Sequence, residues 1–153
     1  MPKLALEIVK ELAEWSSWVP FSSARKTAPR RPGVYLAAEG SSGELIYVGM
    51  AGERSDTGVR GRLVRYASGK AIASGLGEAV FDRALADPGW LHARVAEVED
   101  GQPKRAAQWG KLAFERADLH ICWSVTSDKS TAATLEKQVL DALKEHALWN
   151  RRR

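Results

Sequence analysis

Cysteine is almost missing from these 153 residues; Cys122 stands alone. A single thiol excludes an intramolecular disulfide and any cysteine-built zinc site. It also favours a reducing compartment, so the cytoplasm is the expected location. Long apolar runs are missing as well. No stretch approaches the roughly 18 residues that suggest a membrane span. Met1 to Glu14 alternates apolar residues with Lys and Glu, unlike the apolar core of a secretory leader. There is no internal repeat, low-complexity tract or interdomain linker. The three histidines, His92, His120 and His146, show no metal-ligand spacing. A strong excess of one charge is lacking too: 23 Lys and Arg face 19 Asp and Glu, a formal net charge of +4. That permits a polyanionic partner without demanding one, and a membrane surface or an acidic protein fits the charge equally well.

What is present is an ordinary globular composition, 44% hydrophobic and 27% charged, in a chain long enough to bury a core. Residues 1–153 read as one domain. Leu4, Ile8 and Leu12 recur at helical spacing and predict a helix over Lys3–Glu14. Residues 1–31 thus comprise an N-terminal helix and a connection, rich in Ser and Pro, that reads as irregular. Val34–Ala37 and Leu45–Val48 are β-type runs joined by Gly40-Ser41-Ser42-Gly43, which predicts an antiparallel hairpin. A helix carrying Val59, Arg62, Leu63 and Tyr66 follows a polar loop. Lys70–Asp87 and Lys104–Arg116 read as helices, while Leu91–Val98 suits helix or strand. Leu119–Val125 alternates as a third strand, and Thr131–Ala147 forms a last helix with Leu135, Val139 and Leu143 on one face. The expected class is α+β: a small, mainly antiparallel three-stranded sheet flanked by helices, with residues 67–118 as a helical insertion.

Gly33-Val34-Tyr35 followed by Tyr47-Val48-Gly49 resembles the paired tripeptides of the GIY-YIG nucleases. The hairpin spacing agrees with that family. So do Arg62 on the following helix, Glu136 on the late helix and the Asn-bearing ending Leu148-Trp149-Asn150-Arg151. The resemblance covers about Pro32 to Tyr66 and Leu119 to Arg151. It implies a DNA endonuclease with a catalytic set of Tyr35, Tyr47, Arg62, Tyr66, Glu136 and Asn150, and with Mg²⁺ or Mn²⁺ held at Glu136. Tyr35 is the first choice as general base. Arg54, Arg60, Arg65 and Arg151 are candidate phosphate contacts, with Arg152 and Arg153 extending that tail. Where many members carry Lys after the second tripeptide this chain has Met50, and where many have His it has Tyr66.

The chemistry gives each residue type a reason. Phosphodiester hydrolysis needs an activated water and charge stabilisation around phosphorus. A carboxylate can anchor a hard cation that keeps its waters, a guanidinium matches phosphate oxygens, and a phenol can relay a proton. Asn150 can orient neighbours but cannot act as a base; read alone, it is equally a helix C-terminal cap. Two rival readings remain. One is a catalytically idle nucleic-acid-binding module of the same fold. The other is a protein-interaction domain using the Trp15–Phe21 segment. A homodimer, and the choice among site-specific, damaged and branched DNA, are left open.

Overall fold

The computed structural model describes residues 2–40, 42–53 and 57–151. Arg54, Arg152 and Arg153 lie outside the described residues. In chain order the elements are α1 (Pro2–Lys10), β1 (Val19–Pro20), α2 (Phe21–Thr27), β2 (Gly33–Glu39) and β3 (Leu45–Ala51). They continue with α3 (Gly58–Ala67), α4 (Gly75–Leu85), α5 (Pro88–Glu99), α6 (Ala106–Ala117), β4 (Leu119–Val125) and α7 (Lys129–Ala142). The class is α+β, as expected, and every strand pairing is antiparallel.

The sheet has four strands among the described residues, in the order β1-β4-β2-β3, rather than the expected three. The extra strand lies in the segment read as irregular. Val19 and Pro20 pair with Ile121 and His120 on the outer side of β4. A two-residue strand ending in proline leaves almost no periodic signal, and proline is tolerated there because a border strand needs no full ladder. Helix α2 also falls in that segment and is too short to show a repeat.

Strand β2 is sandwiched between β3 and β4, and it is buried along six of its seven residues. Helices cover both of its faces, which explains an almost unbroken apolar run in place of alternation. One face packs Tyr35, Ala37, Tyr47 and Ile121 against residues of α2, α3, α4 and α6, including Ala24, Leu63, Leu76 and Phe114. The other packs Val34, Leu36, Val48 and Cys122 against Val9 of α1 and Leu135 and Val139 of α7. Cys122 is a buried small hydrophobe, its thiol pushed up to about 12 by burial. Helix α5 sits one layer further out against α4, which leaves Val95 and Val98 exposed. No helix among the described residues is long and apolar enough to cross a membrane.

Helix limits follow local chemistry. Helix α1 stops at Lys10, earlier than its apolar spacing suggests, and the Trp15 indole donates to the Val9 carbonyl at 2.9 Å. Helix α4 begins at Gly75, not near Lys70. Gly75 has φ +52°, a left-handed backbone at which a side chain would be strained, and residues 70–74 run as turns before it. The ambiguous stretch after Asp87 is helical. The Asp87 carboxylate accepts from the backbone N–H of Gly89 and Trp90, and Pro88 supplies a preset first turn.

Candidate active site

Strand β3 borders the sheet, and the candidate residues gather along and over it. Tyr47 lies opposite Ala37, and Tyr35 opposite Gly49. Both phenols therefore project from one face, as the strand period requires. Their rings stack with centroids 6.3 Å apart. The two hydroxyls have different fates. Tyr35 is 1% exposed, and its Oη shares a 3.2 Å hydrogen bond with Tyr66 Oη. Tyr66 Oη also accepts from the Leu76 backbone N–H at the start of α4. Burial, then the neighbouring Tyr66 and Tyr47, hold the Tyr35 phenol well above its ordinary range. Tyr47 is 9% exposed, and its ring edge opens into a cleft of about 710 Å³ lined also by Ser74, Gly75, Glu78, Glu136, Asn150 and Arg151. No hydrogen bond occupies its hydroxyl among the described residues.

Glu136 reaches this cleft from an unexpected direction. Helix α7 packs on the face opposite to α3, where Leu135 and Val139 bury against Val34 and Val48. Glu136 stands one position round the helix, half-buried at the border of the apolar stripe, and lines the cleft together with Tyr47. Burial pushes its carboxyl up and the Arg62 charge pulls it down. Arg62 is exposed on α3 and lines an adjoining hollow with Gly52, Arg65 and Tyr66; the two hollows meet at Ser74. The Tyr47 phenol feels all of these groups. Burial raises it most, then Tyr66 and Glu136, while Arg62 lowers it and Glu78 raises it further.

Asn150 forms a two-point clamp on the border strand. Its Nδ2 donates to the Val48 carbonyl at 2.7 Å and its Oδ1 accepts from the Val48 N–H at 3.1 Å. The Trp149 N–H donates to the Ile46 carbonyl, and the Arg83 guanidinium lies 4.1 Å over the Trp149 ring. The reading of Asn150 as a helix cap does not hold, because α7 ends at Ala142, well before it. Arg65 is exposed beside Arg62. Arg60 is partly committed elsewhere, its Nε donating to the Ala28 carbonyl at 2.6 Å. Arg151 pairs with Glu78 at 2.9 Å. Met50 packs with the apolar face beneath α7 and faces away from the cleft.

Sequence reasoning missed Ser74, Gly75 and Glu78, all within the stretch set aside as an insertion. The one available signal was the Ser74-Gly75 pair, which interrupts the apolar spacing that begins at Ile72. A side chain at Gly75 would meet the hydroxyls of both Tyr66 and Tyr47, so this backbone is what shapes the cleft wall. Among the described residues, no three His, Cys, Asp or Glu side chains gather as a metal cluster. A cation here would rest on one or two carboxylates and its own waters. That donor set suits a hard, oxygen-preferring ion such as Mg²⁺ or Mn²⁺. The half-desolvated Glu136 carboxylate and the unengaged Tyr47 hydroxyl fit such an ion.

Compared with known proteins, the chain finds no counterpart: no family model matches it, and neither a curated protein nor a solved structure does.

Proposed function

We propose that this chain is a divalent-cation-dependent DNA endonuclease of the GIY-YIG type, its fold a variant of that family's sheet with an added border strand. The observation that carries the reading is the surroundings of the Tyr47 hydroxyl. It has no hydrogen-bond partner among the described residues, its ring lines a cleft, and it lies within electrostatic reach of Arg62, Glu136 and Tyr66. These groups come from elements far apart in the chain, Tyr47 from β3, Arg62 and Tyr66 from α3 and Glu136 from α7.

Within this reading Arg62, exposed and without an ion pair among the described residues, binds the phosphate oxygens and offsets their growing charge. Arg65 contacts the same backbone. Tyr47 replaces Tyr35 as the phenol that meets water, because Tyr35 is sealed and its hydroxyl is occupied. Tyr47 Oη accepts a proton from the attacking water as that water bonds to phosphorus, and in the same movement gives its own phenolic proton to solvent water in the open cleft, so it stays neutral throughout. Glu136 would hold the cation, which would supply Lewis acidity to the bound phosphate. Tyr66 and Tyr35 brace the site, and Asn150 fixes the strand that carries Tyr47. One cleft per chain cuts one strand, so cutting both strands calls for a second copy or a reorientation.

The test is incubation of the purified protein with supercoiled and branched DNA, with and without Mg²⁺. Cleavage that requires the ion and is lost in Glu136→Gln supports the reading. The binding-only alternative is favoured by one feature: burial, the largest influence on the Tyr47 phenol, pushes it above its ordinary range and so disfavours loss of its proton. Salt-dependent DNA binding with no turnover on any DNA form selects that alternative.

A further inference from the structure

The cleft contains a carboxylate that neither the tripeptides nor Glu136 accounts for. Glu78 comes from α4 and lines the same hollow as Glu136 of α7. The Tyr47 side chain is nine-tenths buried and lines that hollow, its hydroxyl has no hydrogen-bond partner among the described residues, and both carboxylates raise its phenol. Glu78 Oε1 accepts from Arg151 at 2.9 Å, yet the Arg151 side chain is 73% exposed. An ion pair so open to water holds its carboxylate weakly and exchanges easily.

We propose that Glu78, which lines the same hollow as Glu136 and Tyr47, is a second carboxylate of the divalent-cation site, with Arg151 as the placeholder that occupies it until a cation arrives. This rests on the nuclease reading of the same cleft and adds a ligand from outside the motif. Two carboxylates and a phenol around one hollow offer oxygen donors only, which selects Mg²⁺ or Mn²⁺ over softer ions. Arg151 neutralises Glu78 while the site is empty, and so removes a negative charge that would repel an approaching phosphate. When the cation takes Glu78, Arg151 is released at the mouth of the cleft, where it becomes available to the DNA backbone. Cation entry and phosphate capture are thereby linked.

The experiment is a Mn²⁺ titration of the intact chain without DNA, followed by the loss of the free-ion electron paramagnetic resonance signal. The proteins are wild type, Glu78→Gln, Arg151→Gln, Glu136→Gln and the Glu78→Gln/Arg151→Gln pair, with folding checked by circular dichroism. Glu78→Gln is expected to weaken Mn²⁺ binding by at least about tenfold. Arg151→Gln is expected to tighten it severalfold, because the competitor is gone. In the Glu78→Gln background Arg151→Gln has no effect. Wild-type affinity in Glu78→Gln together with loss in Glu136→Gln overturns the second ligand and leaves the Glu136 anchor standing. Absence of Mn²⁺ binding by the folded wild type overturns both.

Discussion

Across the β2–β3 ladder the Tyr35 ring lies over Gly49, and a side chain there would overlap the ring's Cζ and Oη. The Tyr-Val-Gly tripeptide thus has a packing reason for its glycine, independent of chemistry. Gly49→Ala is expected to cost about 1–3 kcal/mol by overpacking, read from urea denaturation. The two phenols part company in a second comparison. Tyr35→Phe loses a buried hydrogen bond to Tyr66, worth about 1 kcal/mol, and keeps cleavage. Tyr47→Phe keeps its melting temperature and loses turnover by about a hundredfold or more. Equal turnover in Tyr47→Phe and wild type would return the proton-relay role to another group. Sequence placed the two tyrosines on the paired strands of one hairpin. It had no means of telling which hydroxyl meets water, because that depends on where α4 lays Gly75 and Leu76.

At the scale of elements, α7 decides where Glu136 stands. Its first turn is held twice: the Asp128 carboxylate accepts from the Thr131 N–H at 2.7 Å, and Glu53 accepts from the Lys129 N–H at 2.8 Å. The hydrogen bonds from Thr131 hold the Asp128 carboxyl below its usual range. A carboxyl depressed in the fold stabilises the protein above its unfolded pKa, and that contribution is lost as pH falls through the folded value. Asp128→Ala is therefore expected to melt at a lower temperature than wild type at neutral pH. The gap should close in acid; a gap that stays constant down to pH 2 would show that the cap's charge is irrelevant. Strands β2, β3 and β4 and helices α3 and α7 were legible because each carries a full repeat with caps or turns. The entries of β1, α2 and α4 were not. Their limits are set by partners distant in sequence, such as Ile121 for Val19 and the Tyr66 hydroxyl for Leu76. The candidate site was legible only where it lies on those strongly patterned elements. Glu78 escaped because the Ser74-Gly75 break near it marks an interruption of the helix pattern and says nothing of which side chains line a cleft.

For the molecule as a whole, the two outer strands are the exposed risk of any open sheet. Both are blunted or dressed by nearby chain. On the β4 side the outer strand is β1, only Val19 and Pro20 long, and just before it the Ser16 N–H donates to the Trp123 carbonyl at 2.8 Å. The outer side of β3 takes Trp149 at Ile46 and Asn150 at Val48. Ending the chain at Ala147 removes the second dressing and is expected to give self-association on storage, measured by light scattering, along with loss of cleavage. A truncated chain that stays monomeric would show the dressing to be dispensable. With one flank closed by a two-residue strand that ends in proline and the other taken at Ile46 and Val48, the sheet offers a neighbour's backbone little to pair with. On the nuclease reading proposed above, two copies acting on one duplex would then meet through helical or loop surfaces, with their clefts free to face the same double helix.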